Sequence, residues 1–178
     1  MYRRIVQVGA GGIGTWVVLL APRGTTIFVY DDDKVEGSNL NRAPFLLEHI
    51  GQPKVRALAD LVKKYELGIE VIPVEKRVTP TTQFPDDIEL VVDVTDRMAV
   101  RKLVARLAKA HGVPYVGLGY DGFRVTIFDY DTVMASFSTS LQGGYQFVPS
   151  FVAPPVWLAA KFWKGEWKPI TKELGVKS

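Results

Sequence analysis

The sequence contains no cysteine and only two histidines among its 178 residues. The missing thiols exclude disulfides, cysteine-ligated zinc, a catalytic thiol, and any thioester or persulfide step on this chain. No apolar run approaches the roughly 18–20 residues of a membrane span, and no signal-peptide pattern opens the chain. We therefore expect a cytoplasmic protein that makes no membrane contact.

The excess of positive charge is small and unevenly placed. The chain has 22 Lys and Arg against 19 Asp and Glu, a net charge of +3, and the stretch from Lys161 onward holds five lysines and two glutamates. This distribution argues against nucleic acid as a partner. With 47% hydrophobic and 23% charged residues, the chain is predicted to form a single domain over 1–178, with a core at 4–128 and an extension at 129–178.

Strands and helices alternate along the first two thirds of the chain. The alternation predicts an α/β fold, namely a Rossmann-like, doubly wound, mostly parallel sheet with antiparallel C-terminal strands. The expected parallel strands are 4–8, 26–30, 69–74, 88–93 and 114–117, the expected antiparallel strands are 123–128 and 133–139, and the expected helices are 13–20, 53–65, 98–110 and 156–162.

A glycine-rich turn joins the first strand to the first helix. Gly9, Gly11 and Gly14 form the pattern G-x-G-x-x-G, and Asp31 ends the next strand. Glycines there let the backbone approach a phosphate, the helix N-terminus offers free N–H groups, and an acid about 20 residues further on can bind ribose hydroxyls. The pattern predicts a nucleotide site, but it does not distinguish NAD from ATP.

The segment after the second strand is not typical of dehydrogenases. It reads Asp-Asp-Asp-Lys-Val-Glu-Gly-Ser-Asn-Leu-Asn-Arg at 31–42 and contains the chain's two asparagines, Asn39 and Asn41. Together with Gly-Ala-Gly-Gly-Ile-Gly at 9–14, Gly-Gln-Pro-Lys-Val at 51–55 and Asp-Val-Thr-Asp at 93–96, it resembles the ThiF/MoeB family, the adenylating domain shared with ubiquitin-activating enzymes. The resemblance covers roughly residues 4–128.

This resemblance implies an ATP-dependent adenylyltransferase with Mg²⁺ as a further cofactor. In the family a carboxylate, usually the C-terminus of a small ubiquitin-like or sulfur-carrier protein, attacks the α-phosphate to give an acyl-adenylate, and the enzyme is expected to be a homodimer. The residues implied to bind the nucleotide are Gly9, Gly11, Gly12, Gly14, Asp31, Asp33, Asn39, Arg42 and Lys54. Of these, Arg42 and Lys54 are also implied to act in catalysis, together with Asp96, which would hold Mg²⁺.

These roles agree with the chemistry of the residues. Arg42 offers a planar fork that suits phosphate oxygens. Lys54 lies near a helix start, where the helix dipole disfavours a cation unless an anion is close. Asp96 follows a central strand, where open α/β sheets bind ligands, although it could instead cap the next helix. We expect Asp93, at the end of the same strand, to be structural.

Two positions depart from the family pattern. Ala43 stands where the family commonly has Gln, and Arg97 where it has Asn. The family's paired zinc-binding cysteines are also missing. Two alternatives therefore stay open: a degenerate nucleotide-binding scaffold of the same fold, and an NAD-dependent oxidoreductase, which rests on the glycine loop and Asp31 alone.

The remaining distinctive residues have simpler interpretations. His49 and His111 lack metal-ligand spacing and are predicted to lie at the surface. The aromatic residues near the C-terminus are expected in the core or in a subunit contact rather than in base stacking; they are Trp157, Phe162, Trp163 and Trp167.

Overall fold

A seven-stranded sheet forms the centre of the protein over residues 2–136 and 152–174, the ranges that the computed structural model describes. Its strands are β1 (Arg4–Val8), β2 (Thr26–Tyr30), β3 (Glu70–Val74), β4 (Leu90–Asp93), β5 (Tyr115–Asp121), β6 (Arg124–Phe128) and β7 (Ile170–Glu173). They lie in the order β3-β2-β1-β4-β5-β6-β7. The first five are parallel, whereas β6 and β7 extend the sheet antiparallel.

Five helices and two 3₁₀ turns connect the strands in these ranges. The helices are α1 (Gly12–Leu19), α2 (Lys54–Lys64), α3 (Met98–His111), α4 (Tyr130–Ala135) and α5 (Ala153–Trp163), and the 3₁₀ turns are Gly37–Asn39 and Leu47–His49. None of these helices combines the length and the apolar character that a membrane crossing requires.

Alternate strand residues point into two separate apolar layers. Ile5 packs with residues of α1, α2 and α5, while its neighbour Val6 packs with residues of α3 and α4. Leu90 and Val91 on β4 divide in the same way. The near-continuous apolar character of these strands follows from burial on both faces.

The chain reverses its direction of winding between β1 and β4. After β1 it builds β2 and β3 on one side, and after β3 it crosses to β4 on the other side of β1. Because α1 and α3 then cover opposite faces of the sheet, a crevice opens between the carboxyl ends of β1 and β4. This crevice is where an open α/β sheet binds its ligand.

The predicted fold class is confirmed, with one wrong element. A strand was expected at 133–139, but residues 133–135 belong to α4, and 137–139 lie outside the described residues. The Asp129 carboxylate accepts a hydrogen bond from the Thr132 backbone N–H at 2.8 Å and starts this helix. The second antiparallel strand is β7 instead, paired with β6.

The prediction for His49 fails, whereas the C-terminal aromatic residues lie within the fold as expected. The surface prediction for His49 is wrong, because this residue is buried and its Nδ1 accepts a hydrogen bond from the Leu46 N–H at 3.0 Å. Trp163 donates from Nε1 to the Val17 carbonyl at 2.7 Å and thereby joins α5 to α1. Phe162 is buried, and Trp167 stacks on it at 5.8 Å. These aromatic residues therefore pack within the chain.

Candidate functional site

A cleft of about 780 Å³ lies at the carboxyl ends of the central strands. This volume falls in the range of small-molecule and cofactor sites. All but one of the residues expected to bind nucleotide or metal line this cleft, although they lie up to 87 positions apart in the sequence: Gly9, Gly11, Gly12, Asp31, Asp33, Asn39, Arg42, Lys54 and Asp96.

Gly14 is the exception. It is absent from the lining of the cleft, and a Cβ atom added to it would lie 2.4 Å from the Gly9 carbonyl oxygen. Glycine is therefore required here for close packing of α1 against the loop, which differs from the expected phosphate contact. The buried Gln7 side chain also holds this turn, since its Nε2 donates to the carbonyls of Gly9 and Gly14.

The glycine turn itself has the geometry of a phosphate-binding loop. Gly9 has a φ of +103°, a conformation that side-chain-bearing residues rarely adopt. Gly11 is the N-cap of α1, and no side chain caps its first N–H groups. A Cβ on Gly12 would lie 2.9 Å from the Tyr120 hydroxyl. The backbone thus leaves room and donors for an anion at the start of α1.

Asp31 ties the turn to the end of β2. One carboxylate oxygen accepts from the Ala10 N–H at 2.7 Å, and the other accepts from the Asp33 N–H at 2.8 Å. Burial raises the pKa of Asp31, while these hydrogen bonds and the charge of Lys54 act in the opposite direction. Both carboxylate oxygens thus accept hydrogen bonds from the backbone, and the ribose contact of Asp31 stays a prediction.

Lys54 forms a salt bridge with a carboxylate of the same chain. Its Nζ lies 3.1 Å from Asp33 Oδ2, and only 12% of its side chain is exposed. It is the first residue of α2, where a cation needs such a partner. A bound phosphate would share this ammonium group with Asp33.

Arg42 and Asn39 are fixed by the turn at Gly37–Asn39. The Asn39 Oδ1 accepts from the Glu36 N–H at 2.9 Å. Arg42 donates from Nη1 to the Ser38 carbonyl at 2.8 Å and to Asn41 Oδ1 at 3.0 Å. Both side chains line the cleft with polar atoms positioned by local hydrogen bonds.

The loop after β4 separates a structural aspartate from an exposed one. Asp93 is fully buried and accepts from Thr95 Oγ1 at 2.7 Å and from the Tyr115 hydroxyl at 2.8 Å, so its predicted structural role is confirmed. Asp96 is exposed and lines the cleft. The N-cap of α3 is Arg97, so the alternative role of Asp96 as that cap is wrong.

A single carboxylate at this point fits Mg²⁺. This ion is usually held by one or two carboxylates together with substrate phosphates and water. Asp31, Asp32 and Asp33 form a second carboxylate group, with oxygens within 4.8 Å of one another. In this group, Asp32 is paired with Arg77 and Asp33 with Lys54.

Four charged or polar residues that line the cleft lie outside the sequence motifs and were therefore not predicted. Tyr120 contributes a hydroxyl beside Gly12, and burial raises its pKa. Arg101 lines the cleft from α3 with 1% exposure. Lys76 and Arg77 follow β3 at the same edge of the sheet. Position after a parallel strand was the signal that could have found Lys76 and Arg77.

Comparisons with known proteins agree with this geometry. Residues 2–143 match the ThiF family. The chain is 36% identical over 136 residues to the adenylyltransferase and sulfurtransferase UBA4 of Yarrowia lipolytica, covering 72% of this chain and 34% of that protein. It is 35% identical over 118 residues to the SAMP-activating enzyme E1 of Haloferax volcanii, covering 64% of this chain and 44% of that protein.

A solved structure shares the fold at low sequence identity. Escherichia coli MccB, crystallised with ATP, superposes with a TM-score of 0.69 at 19% identity, over 97% of this chain and 63% of that chain. The matched region spans only 34% of the length of the UBA4 protein and 44% of the length of the SAMP-activating enzyme. With a family match over residues 2–143 and the expected motifs gathered at one cleft, the chain belongs to the ThiF family.

Proposed function

We propose that the protein binds Mg·ATP in this cleft and transfers the adenylyl group to a carboxylate. The observation that carries the proposal is the convergence of Asp31, Arg42, Lys54 and Asp96 on one cleft beside a glycine loop. The names of the curated relatives, an adenylyltransferase and an E1 activating enzyme, support this reaction class. The acceptor we propose is the C-terminus of a small ubiquitin-like or sulfur-carrier protein.

The reaction requires that the protein position the two substrates and neutralise the negative charge of the phosphates. A carboxylate oxygen of the acceptor attacks the α-phosphorus, the bond to the bridging oxygen of the β-phosphate breaks, and pyrophosphate leaves. Arg42 and Lys54 stabilise the phosphate charge, the N–H groups at the start of α1 bind phosphate oxygens, and Asp31 holds the ribose. Mg²⁺ held by Asp96 would neutralise further phosphate charge.

The product of this reaction is an acyl-adenylate, and we propose that no thioester follows on this chain. Its sequence contains no cysteine, so an outside nucleophile must take the acyl group.

We also propose a homodimer of the 19.8 kDa chain. A mass near twice that of the chain in light scattering would support this assembly, and a monomer at micromolar concentration would contradict it.

Exchange of pyrophosphate into ATP tests the activity. Asp96→Ala should lower the Mg·ATP-dependent exchange by about 10²-fold, the usual cost of losing one electrostatic stabiliser. Asp60→Ala is the matched control, because Asp60 is an exposed aspartate of α2 that does not line the cleft. A panel of carrier-protein C-termini supplies the acceptor.

The same assay separates a second function. Ala43 is buried and offers no polar contact where the family commonly has Gln, which favours nucleotide binding without turnover. ATP binding with no exchange for any acceptor would support that scaffold function. Undiminished exchange in the Asp96 variant would overturn the assignment of the site.

A further inference from the structure

The Arg42 segment, residues 36–42, lies at the surface between two buried residues. Its side chains are exposed or half-buried, whereas Val35 before it and Ala43 after it are 1% and 5% exposed. Both buried neighbours belong to the apolar layer that also contains residues of α1. Arg42 is the last residue of this segment, so the place of its guanidinium in the cleft depends on how the segment is held.

The hydrogen bonds that shape the Arg42 segment are formed within it. The Asn39 N–H donates to the Glu36 carbonyl at 2.9 Å, and the Glu36 N–H donates to Asn39 Oδ1 at 2.9 Å. The Arg42 side chain donates to the Ser38 carbonyl and to Asn41 Oδ1. These hydrogen bonds fix the shape of the segment, but they do not fix its place relative to the glycine loop.

A tryptophan of α1 joins the Arg42 segment to the helix that begins at the glycine loop. Trp16 donates from Nε1 to the Arg42 carbonyl at 2.8 Å. Gly12 lies four residues earlier, on the same face of α1, and a Cβ atom on it would lie 3.3 Å from Arg42 Cδ and 3.4 Å from Arg42 Cγ. Arg42 therefore contacts α1 at two points, with its backbone carbonyl at Trp16 and with its aliphatic stem at Gly12.

Within the described residues, Trp16 packs behind the cleft rather than lining it. Its ring is half-buried against the apolar layer of α1, α2 and α5, whereas Gly12 and Arg42 line the cleft. Its effect on a bound nucleotide must therefore pass through another residue. The indole N–H is a hydrogen-bond donor only, and it is the group that a phenylalanine at this position would lack.

We propose that Trp16 is a positioning residue for Arg42. Its indole N–H fixes the Arg42 segment against α1, so that the guanidinium stands beside the anion-binding start of that helix. The proposal rests on the proposed function and deepens it, because it assigns the residue that sets the phosphate contact of Arg42. Without the N–H the segment keeps its internal hydrogen bonds but shifts relative to α1, and a bound triphosphate must then draw Arg42 back into place.

Nucleotide binding by Trp16→Phe tests this role, since phenylalanine keeps an aromatic ring and removes the N–H. The affinity for Mg·AMPCPP, measured by calorimetry, should fall about 5-fold, the size expected for one net hydrogen bond. The affinity for adenosine should stay unchanged, because adenosine has no phosphate for Arg42 to bind. Unchanged affinity for Mg·AMPCPP, or an equal loss for both ligands, would overturn the inference.

A double-mutant cycle shows whether Trp16 acts through the Arg42 side chain. Arg42→Ala removes the guanidinium and keeps the backbone carbonyl that accepts from Trp16. Trp16→Phe should therefore cause no further loss of Mg·AMPCPP affinity in the Arg42→Ala background. The same 5-fold loss in both backgrounds would overturn the inference, because Trp16 would then act independently of the guanidinium.

Trp163→Phe is the matched control. Trp163 also donates from Nε1 to a backbone carbonyl, that of Val17 in α1, at 2.7 Å, but it is remote from the lining of the cleft. This variant should lose stability in urea and keep the wild-type affinity for Mg·AMPCPP. A loss of affinity as large as that of Trp16→Phe would overturn the inference, since any weakened contact of α1 would then have the same effect.

The wild-type protein separates this inference from the proposed function. Absence of Mg·AMPCPP binding would overturn both. Binding of Mg·AMPCPP without pyrophosphate exchange for any acceptor would refute the proposed reaction alone, and the binding data for the Trp16 and Arg42 variants would still decide the positioning role.

Discussion

Two glycines of the same turn are constrained for different reasons, and alanine separates them. A Cβ at position 14 would lie 2.4 Å from the Gly9 carbonyl oxygen and 2.7 Å from Gln7 Nε2, whereas a Cβ on Gly11 would meet nothing within 4 Å. Gly14→Ala should therefore lower the free energy of unfolding by about 3 kcal/mol, at the upper end of overpacking penalties. Gly11→Ala, which changes only a helix N-cap, should cost less than about 1 kcal/mol. Urea unfolding measures both, and equal losses would show that the turn relaxes around Gly14.

The residues of the site were more predictable than their partners. The sequence places Asp31, Asn39, Arg42, Lys54 and Asp96 after strands or at helix starts, and carboxyl ends of parallel strands meet at one edge of a sheet. Their convergence on one cleft follows from that rule.

Pairing between distant segments could not be predicted in the same way. No periodicity indicates that Asp33 neutralises Lys54, since the two lie 21 positions apart and meet only because the loop after β2 pairs with the residue before α2. Arg101 had no signal at all, because a lone arginine in an amphipathic helix is usually solvated. Its burial depends on the fit of α3 over β5 and β6.

At the scale of elements, α4 shows a local hydrogen bond deciding between helix and strand. Asp129 accepts from the N–H and the hydroxyl of Thr132, and these hydrogen bonds lower the pKa of Asp129. Asp129→Ala should cost about 1 kcal/mol of unfolding free energy at neutral pH, the usual value of an N-cap, and Asp129→Ser should restore most of it.

The lowered pKa adds a pH dependence to this substitution. The folded pKa lies below the unfolded one, so the carboxylate stabilises the fold above the unfolded pKa and loses that contribution as the pH falls through the folded pKa. The difference between wild type and Asp129→Ala should therefore shrink in acid. Unfolding by urea at several pH values measures it, and a gap that is constant down to pH 2 would contradict the capping role.

The antiparallel edge of the sheet shows the limit of pattern reading at this scale. The sequence of β7, Ile-Thr-Lys-Glu, has no alternation of apolar and polar residues that would mark it as a strand. This agrees with its structure, in which all four residues are exposed. Pairing with β6 and the neighbouring contacts of Trp167 define it instead. An alternating run at 133–139 was the stronger strand pattern, and the Asp129 cap overrode it over residues 133–135.

At the scale of the whole molecule, the cleft residues expected to bind the nucleotide and its metal come from five segments that are distant in sequence. These segments are the turn after β1, the end of β2, the 3₁₀ turn together with Arg42 that follows it, the start of α2 and the loop after β4. A nucleotide that contacts all of them binds only the folded chain, so it must stabilise the fold by mass action. At 100 times its dissociation constant, Mg·ATP should add about 2.7 kcal/mol, which corresponds to an increase in Tm of about 5–11 °C for a chain of this size.

NAD is the control nucleotide for this measurement of Tm. The ThiF family match favours ATP, whereas the glycine loop and Asp31 alone would suit NAD equally well. NAD at the same concentration should leave the Tm unchanged, because the cations that line the cleft beyond the ribose position, Arg42 and Lys54, suit a triphosphate. Asp96→Ala should reduce the part of the ATP shift that depends on added Mg²⁺, since it removes the proposed ligand of the ion. Stabilisation by NAD and not by Mg·ATP would instead support the oxidoreductase alternative, and the cleft would then serve a chemistry in which Asp96 has no part.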